Sequence, residues 1–172
     1  MIEIKNVSKR YGDNWALRDL SFAVRPGIVT GFLGPNGAGK STTMRIILGL
    51  DRPTSGEALV DGRPFADAPA PLRKIGAILD AKATHPGRSA YDHLSAIAAT
   101  GGIRKARVQT VLDMVGLNAV SNRRVGGFSL GMAQRLGIAS ALLGDPEIVI
   151  LDEPVNGLDP EGVMWVRNLL KS

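Results

Sequence analysis

Cysteine is absent from the 172 residues, which removes disulfide bonds, thiolate zinc sites and cysteine nucleophiles together. Histidine is nearly absent: only His85 and His93 occur. Aromatic residues make up 5% of the chain, and none interleaves with the arginine-rich middle as a single-strand-binding groove requires. No stretch approaches the ~18 apolar residues that span a bilayer. The start, Met1-Ile2-Glu3-Ile4-Lys5, lacks the basic-then-apolar order of a secretory signal. These absences lead to the expectation of a soluble, cytoplasmic chain. What remains is ordinary globular material, 44% apolar and 22% charged, enough for one domain with a real core. Gly 21 and Pro 10 follow no period, so collagen-like and low-complexity readings fail.

Charge is small in sum, 21 basic against 16 acidic residues, but unevenly placed. Arg104, Lys105, Arg107, Arg123, Arg124 and Arg135 face only Asp113 in their stretch. Asp145, Glu147, Asp152, Glu153, Asp159 and Glu161 follow with no cation among them. A basic middle and an acidic later segment suggest two surfaces with different duties, or simply a solvated basic helix pair.

Hydrophobic periodicity organises the chain. Ile2, Ile4 and Val7, then Leu20, Phe22 and Val24, alternate as strands around the turn residues Gly12-Asp13-Asn14. Ile28 to Leu33 is a mostly apolar run, expected to be a strand buried in a parallel sheet. A glycine-rich loop follows, then helical spacing from Thr42 to Leu50. Ala58-Leu59-Val60 before Asp61-Gly62 predicts a short strand and tight turn, and Ile75 to Leu79 another strand. From Pro86 to Leu143 the stripes are helical. Ile148 to Leu151 reads as a second buried strand, and an amphipathic helix begins after Pro160. Strand–loop–helix at each end with a helical block between predicts an α/β core carrying an insertion.

Two segments carry chemistry. Gly34-Pro35-Asn36-Gly37-Ala38-Gly39-Lys40-Ser41 has the spacing G-x-x-x-x-G-K-[ST] between a strand and a helix. Glycines let backbone N–H groups curl around phosphate oxygens, and the helix N-terminus adds positive potential. Lys40 would reach the β- and γ-phosphates and Ser41 would offer its hydroxyl to Mg²⁺. The alternative is a glycine-rich turn with a solvated lysine. Ile148-Val149-Ile150-Leu151-Asp152-Glu153 delivers two carboxylates at a strand end, where ligands sit in open parallel sheets. Asp152 is placed to hold Mg²⁺ and Glu153 to act as general base on the attacking water. The alternative is that both cap the turn before Pro154.

Phe128-Ser129-Leu130-Gly131-Met132-Ala133-Gln134-Arg135 precedes a helix leading into the acidic strand, and Asn156-Gly157-Leu158-Asp159-Pro160 follows it. Together with the phosphate loop, these segments resemble the nucleotide-binding domain of ABC ATPases over essentially the whole chain. Phe128 to Met132 resembles the LSGGQ signature and Asn156 to Asp159 the D-loop. The resemblance implies a single domain over residues 1–172, incomplete at its C-terminus. Its fold would be a RecA-like P-loop α/β core with an N-terminal antiparallel β subdomain and an inserted α-helical subdomain near 82–142. The C-terminal core strands would be missing.

The resemblance also implies ATP and Mg²⁺ as ligands. Gly34, Asn36, Gly37, Ala38, Gly39, Lys40, Ser41 and Thr42 would bind the phosphates, and Tyr11 would stack on adenine, although a lone Tyr there also suits hairpin packing. Ser129 and Gly131 would reach the γ-phosphate held by a partner's Lys40, with Asp159 at the interface. Glu153 and Lys40 would be catalytic, and Ser41, Asp80 and Asp152 would serve the metal. Asp80 stands where the family usually has Gln, which resembles bacterial exporter ATPases for drugs and peptides.

Two further departures stand out. Leu130 replaces a glycine and Met132 a glutamine of the signature, and both histidines precede the acidic strand, so neither matches the family's switch histidine. The expected partners are a second ATP-binding domain and a membrane-spanning permease, at the inner face of the cell membrane, where the basic stretch suits an anionic leaflet. No nucleic acid is expected. The implied function is the ATP-hydrolysing subunit of a transporter, an exporter by its Asp80. The alternatives are a nucleotide-binding fragment without turnover, or a soluble ABC ATPase acting on ribosomes or DNA.

Overall fold

A computed structural model describes residues 1–80 and 83–170 of the chain. They fall into two compact units, Met1–Pro69 and Ala70–Ser172. Position 82, where the helical block was expected to begin, lies outside the described residues.

The first unit is an antiparallel sheet with one helix. β1 (Ile2–Tyr11) pairs with β2 (Asn14–Val24) through the turn at Gly12-Asp13, and β3 (Ser55–Val60) pairs with β1 on its other side, giving the order β2-β1-β3. Alternation sets which face is buried: Ile2, Ile4 and Val7 of β1 turn inward while Lys5 and Asn6 stay exposed. The tight turn after β3 forms as expected, with both Asp61 and Gly62 at positive φ. There the Val60 and Arg63 backbones exchange hydrogen bonds. Helix α1 (Lys40–Ile47) covers the sheet with Thr43, Ile46 and Ile47.

The run Ile28 to Leu33 does not form the expected buried strand. It joins no sheet among the described residues, and Ile28, Val29 and Leu33 are 60%, 69% and 93% exposed. Phe32 alone is anchored, its ring 5.4 Å from that of Phe22. The physical reason is that an apolar strand is held by a neighbour's backbone hydrogen bonds. Apolar composition cannot replace that neighbour.

The second unit begins with the one-turn helix α2 (Pro71–Lys74) and strand β4 (Ile75–Ile78). Three helices follow: α3 (Ala90–Thr100), α4 (Lys105–Met114) and α5 (Leu130–Leu142). β5 (Ile148–Leu151) then pairs parallel to β4, and α6 (Pro160–Leu169) ends the described chain. Leu94 of α3, Val108, Val111 and Leu112 of α4, and Leu136 and Ile138 of α5 form one dry cluster that Val166 of α6 joins. α3 contributes Ala90, Leu94 and Ala98 and α4 contributes Val108, Val111 and Leu112, the spacing that puts side chains on one face, whereas α5 is buried on adjacent positions as well.

Three residues of the basic stretch are used inside this unit, Arg123 by donating from Nη2 to Gly127 O at 2.9 Å. Arg107 reaches the end of α5, donating from Nη2 to Leu142 O at 3.0 Å and to Asp145 Oδ1 at 2.9 Å. The Leu142 carbonyl, in the last turn of α5, also accepts from Asp145 N at 3.1 Å. Arg135 donates to Val115 O at 3.1 Å while its guanidinium lies 4.6 Å from the Trp165 ring centre. Among the described residues no helix is long and apolar enough to cross a membrane.

Candidate functional site

The phosphate loop is set by one backbone constraint. Gly39 is the N-cap of α1 with φ 85 and ψ 10, a left-handed conformation that side chains resist. A Cβ at Gly39 would also lie 2.6 Å from Ala16 O and overlap the Leu17 side chain. The loop therefore sits directly on β2, and only glycine permits it. Thr43 closes the first turn by donating Oγ1–H to Gly39 O at 2.9 Å. Lys40 turns back over the loop and donates from Nζ to Gly34 O at 2.8 Å and Pro35 O at 3.0 Å. Its ammonium is thus held beside the curl of backbone from Gly34 to Gly39, where an incoming phosphate would exchange for two neutral carbonyls. Asn36, Gly37, Ala38 and Ser41 are exposed and Thr42 is half-buried.

Tyr11 lies in the same unit and is oriented by a network the sequence did not reveal. Its hydroxyl donates to Asp51 Oδ2 at 2.9 Å, and Arg45 Nε donates to the same oxygen at 2.8 Å. Arg45 and Tyr11 hold the Asp51 carboxyl below the usual carboxylate range, and bonding to Asp51 pushes the Tyr11 phenol up. The ring is 47% exposed, with Lys9 Nζ 4.8 Å from its centre. It is a fixed aromatic surface open to a planar ligand. Neither Asp51 nor Arg45 carries a motif; their role follows from folding α1 against the hairpin.

In the second unit the parallel register aligns the acidic strand end. Ile78 pairs with Leu151, and Asp152 N donates to Ile78 O at 2.9 Å. Asp80, two residues beyond Ile78, therefore emerges at the same sheet edge as Asp152 and Glu153. Glu153 departs from ordinary backbone, with φ 47, a left-handed conformation uncommon outside glycine. The turn after it compensates: Asn156 N donates to Glu153 O at 3.1 Å, and Asn156 Nδ2 donates to Glu153 Oε2 at 3.0 Å. A left-handed backbone fixed in this way by a local turn holds the Glu153 side chain in one place.

No group of three acidic, histidine or cysteine side chains able to hold a metal occurs among the described residues. A magnesium ion suits such sparse ligation, because it keeps waters and takes one or two carboxylates together with substrate phosphates. Ser41, Asp80 and Asp152 carry oxygen donors only, the donor type this ion takes.

The signature segment and the D-loop meet in this unit. Ser129 is the N-cap of α5 and accepts from Met132 N at 3.3 Å. Asp159 caps α6, accepting from Gly162 N at 2.8 Å. The Leu130 side chain lies over Gly157, and Leu158 lies against Gly131. Asp80 thus follows the end of β4 as Asp152 and Glu153 follow the end of the paired strand β5, while Leu130 and Gly131 meet Gly157 and Leu158 of the loop before Asp159. His85 accepts from Gly87 N, and His93 contacts Ser140, so both histidines have local structural duties.

Comparison with known proteins matches residues 17–156 to the family described as ABC transporter. A lantibiotic transport ATP-binding protein, SrtF of Streptococcus pyogenes, is 41% identical over 172 residues, spanning 100% of this chain and 74% of that protein. A bacitracin transport ATP-binding protein, BcrA of Bacillus licheniformis, is 44% identical over 174 residues, spanning 100% of this chain and 57% of that protein. Among solved structures, the dimeric bacterial ABC transporter cassette MJ0796 superposes with a TM-score of 0.88 at 30% identity. That superposition covers 99% of this chain and 82% of that one. The same cassette bound to ADP and Pi after hydrolysis superposes with a TM-score of 0.87.

Proposed function

Because the chain belongs to the ABC transporter family of ATP-binding proteins, we propose that it is the Mg-ATP-hydrolysing subunit of an exporter of peptide antibiotics. Two copies, or a copy and a relative, would sandwich each nucleotide head to tail, and hydrolysis would drive a separate permease at the inner face of the membrane. All 172 residues would form one ATP-binding domain, with the block around α3, α4 and α5 serving as its helical subdomain. The observation that carries this reading is the phosphate loop, seated on β2 through Gly39 and closed by Lys40 on its own carbonyls. Relatives that transport a lantibiotic and bacitracin support the substrate class.

The residues divide the work. Backbone N–H groups from Gly37 to Ser41 and the Lys40 ammonium take the phosphates, and charge on the transferring group is stabilised there. Tyr11 offers its open ring to adenine. Ser41, Asp152 and Asp80 would hold Mg²⁺, which when bound neutralises phosphate charge. Glu153 accepts the proton of the attacking water, oriented by Asn156. Ser129 and Gly131, with the free N–H groups at the start of α5, would meet the phosphate held by the opposite copy.

The test is the Glu153→Gln variant, assayed for nucleotide binding and for phosphate release with the permease present. Binding should persist while turnover falls by about a hundredfold or more. Turnover within a few-fold of the unmodified protein would remove Glu153 from its assigned role. A second reading, nucleotide binding without turnover by these 172 residues alone, is favoured by the exposed run at Ile28 to Leu33, which leaves the entry to the loop without a fixed strand. Phosphate release by that chain alone at the rate of the complex would refute it.

A further inference from the structure

The contact between Leu130 and Gly157 has a consequence for the catalytic carboxylate. Leu130 stands where the resembling signature has glycine, opens α5 directly after the Ser129 cap, and is 45% exposed. An exposed leucine at a helix start normally has nothing to fix. Here a Cβ at Gly157 would overlap Leu130 Cδ2 and stand 3.2 Å from Cγ, so the leucine fills the space over the glycine backbone. The contact is reciprocal, because a Cβ at Gly131 would lie 3.5 Å from Leu158 Cδ2. Gly157 itself has φ 72 and leads into Leu158, whose N–H donates to Val155 O at 3.1 Å and whose side chain packs on the helical core. On its other side Gly157 adjoins Asn156, the residue whose Nδ2 holds Glu153 Oε2.

We propose that Leu130 is a positioning residue: it clamps the Asn156–Asp159 loop to the start of α5, and through Asn156 it fixes Glu153. The consequence for turnover rests on the ATPase reading above; the clamp itself does not. The segment facing a second copy's phosphate and the general base of this chain's own site then move as one body. A shift at the start of α5 is carried by Leu130 to Gly157, and from there to the carboxylate that takes the proton. None of the contacts in this linkage involves a phosphate-loop residue, so the loss is expected in turnover more than in affinity for nucleotide.

A double-mutant cycle tests it, on the protein as its gene encodes it and with its membrane partner for turnover. The variants are Leu130→Ala, Gly157→Ala and the two combined. Alanine at 157 adopts an unfavourable left-handed backbone in either background, so that cost cancels and only the collision with Leu130 remains. Gly157→Ala alone should speed hydrogen exchange at the Asn156 and Leu158 amides and lower kcat about tenfold with KM for ATP little changed. Adding Leu130→Ala, which clears the space, should recover most of the exchange protection and bring kcat to within about threefold of Leu130→Ala alone.

Equal losses from Gly157→Ala in both backgrounds would overturn the proposal. So would a kcat loss accompanied by an equal rise in KM. If the unmodified protein turns over no ATP, the ATPase reading fails, while the exchange cycle still decides the clamp. Coupled protection supports it and additive protection refutes it.

Discussion

Replacing Gly39 with alanine offers a sharp measure of how the phosphate loop is held. The cost has two parts. The first is backbone: alanine at φ 85 must adopt a left-handed conformation, at about 1–2 kcal/mol. The second is contact: the new Cβ would lie 2.6 Å from Ala16 O, where ordinary contact begins near 3.4 Å. Relief requires β2 or the start of α1 to move by most of an ångström. Overpacking of that kind costs about 1–3 kcal/mol, so the total is about 2–5 kcal/mol. Gly37 provides the control, because it has φ 83 and nothing within 4 Å of its Cβ position. Gly37→Ala therefore carries the backbone cost without the collision.

Urea unfolding of both variants against the unmodified protein separates the two parts. Gly39→Ala should lower the midpoint by about 1–2 M, and Gly37→Ala by about half that or less. Titration with a fluorescent ATP analogue should show the same order for binding, since displacement of α1 from β2 opens the curl that presents the N–H groups. Equal midpoints for the two variants would refute the claim that contact with β2, rather than backbone conformation alone, demands glycine at position 39.

Arg107→Ala should destabilise the protein by about 1–2 kcal/mol, because it strips the carbonyls at the end of α5 and leaves Asp145 without its cation. A loss below about 0.5 kcal/mol in urea unfolding would show that water replaces the guanidinium without penalty. His93 gives a pH dependence of predictable sign. His93 Nε2 lies 3.3 Å from Ser140 Oγ, which is also 3.0 Å from Leu136 O. Burial, with the Arg88 charge adding to it, pushes the imidazole below its ordinary value. The unfolded chain then binds the proton more readily, so stability is full above about pH 6.5 and declines as pH falls toward the lowered folded value. Thermal midpoints measured from pH 8 to pH 5 should fall on the acid side, less steeply in His93→Gln; a profile unchanged by that substitution would exclude His93 as its source.

What the sequence disclosed was local chemistry. The glycine spacing before Lys40, the aliphatics before Asp152 and the serine before α5 each specify a conformation through neighbours within a few residues. Strands and helices followed from periodicity for the same reason, though with shifted limits: the helix expected from Thr42 begins at Lys40, and the strand read from Leu20 begins at Asn14. The failure at Ile28 to Leu33 is of another kind. Periodicity reports that a segment suits a buried strand, but pairing depends on a partner strand, and no property of the segment supplies one.

The relations between motifs were hidden for a similar reason. Leu130 looked like a defect in the signature because its compensation, the bare backbone of Gly157, lies far along the chain. Arg135 looked like part of a basic surface, yet Trp165 and the Val115 carbonyl occupy its guanidinium; Arg107 likewise serves the end of α5. Both guanidiniums are therefore held by contacts within the second unit, which weakens the reading of the stretch as a surface laid against an anionic leaflet. The same accounting bears on Leu130, which departs from the resembling pattern and is 45% exposed, yet occupies the space a Cβ at Gly157 would take. If the motifs supply the reacting groups, as proposed, contacts of this kind are where a substitution far from them in sequence would be felt.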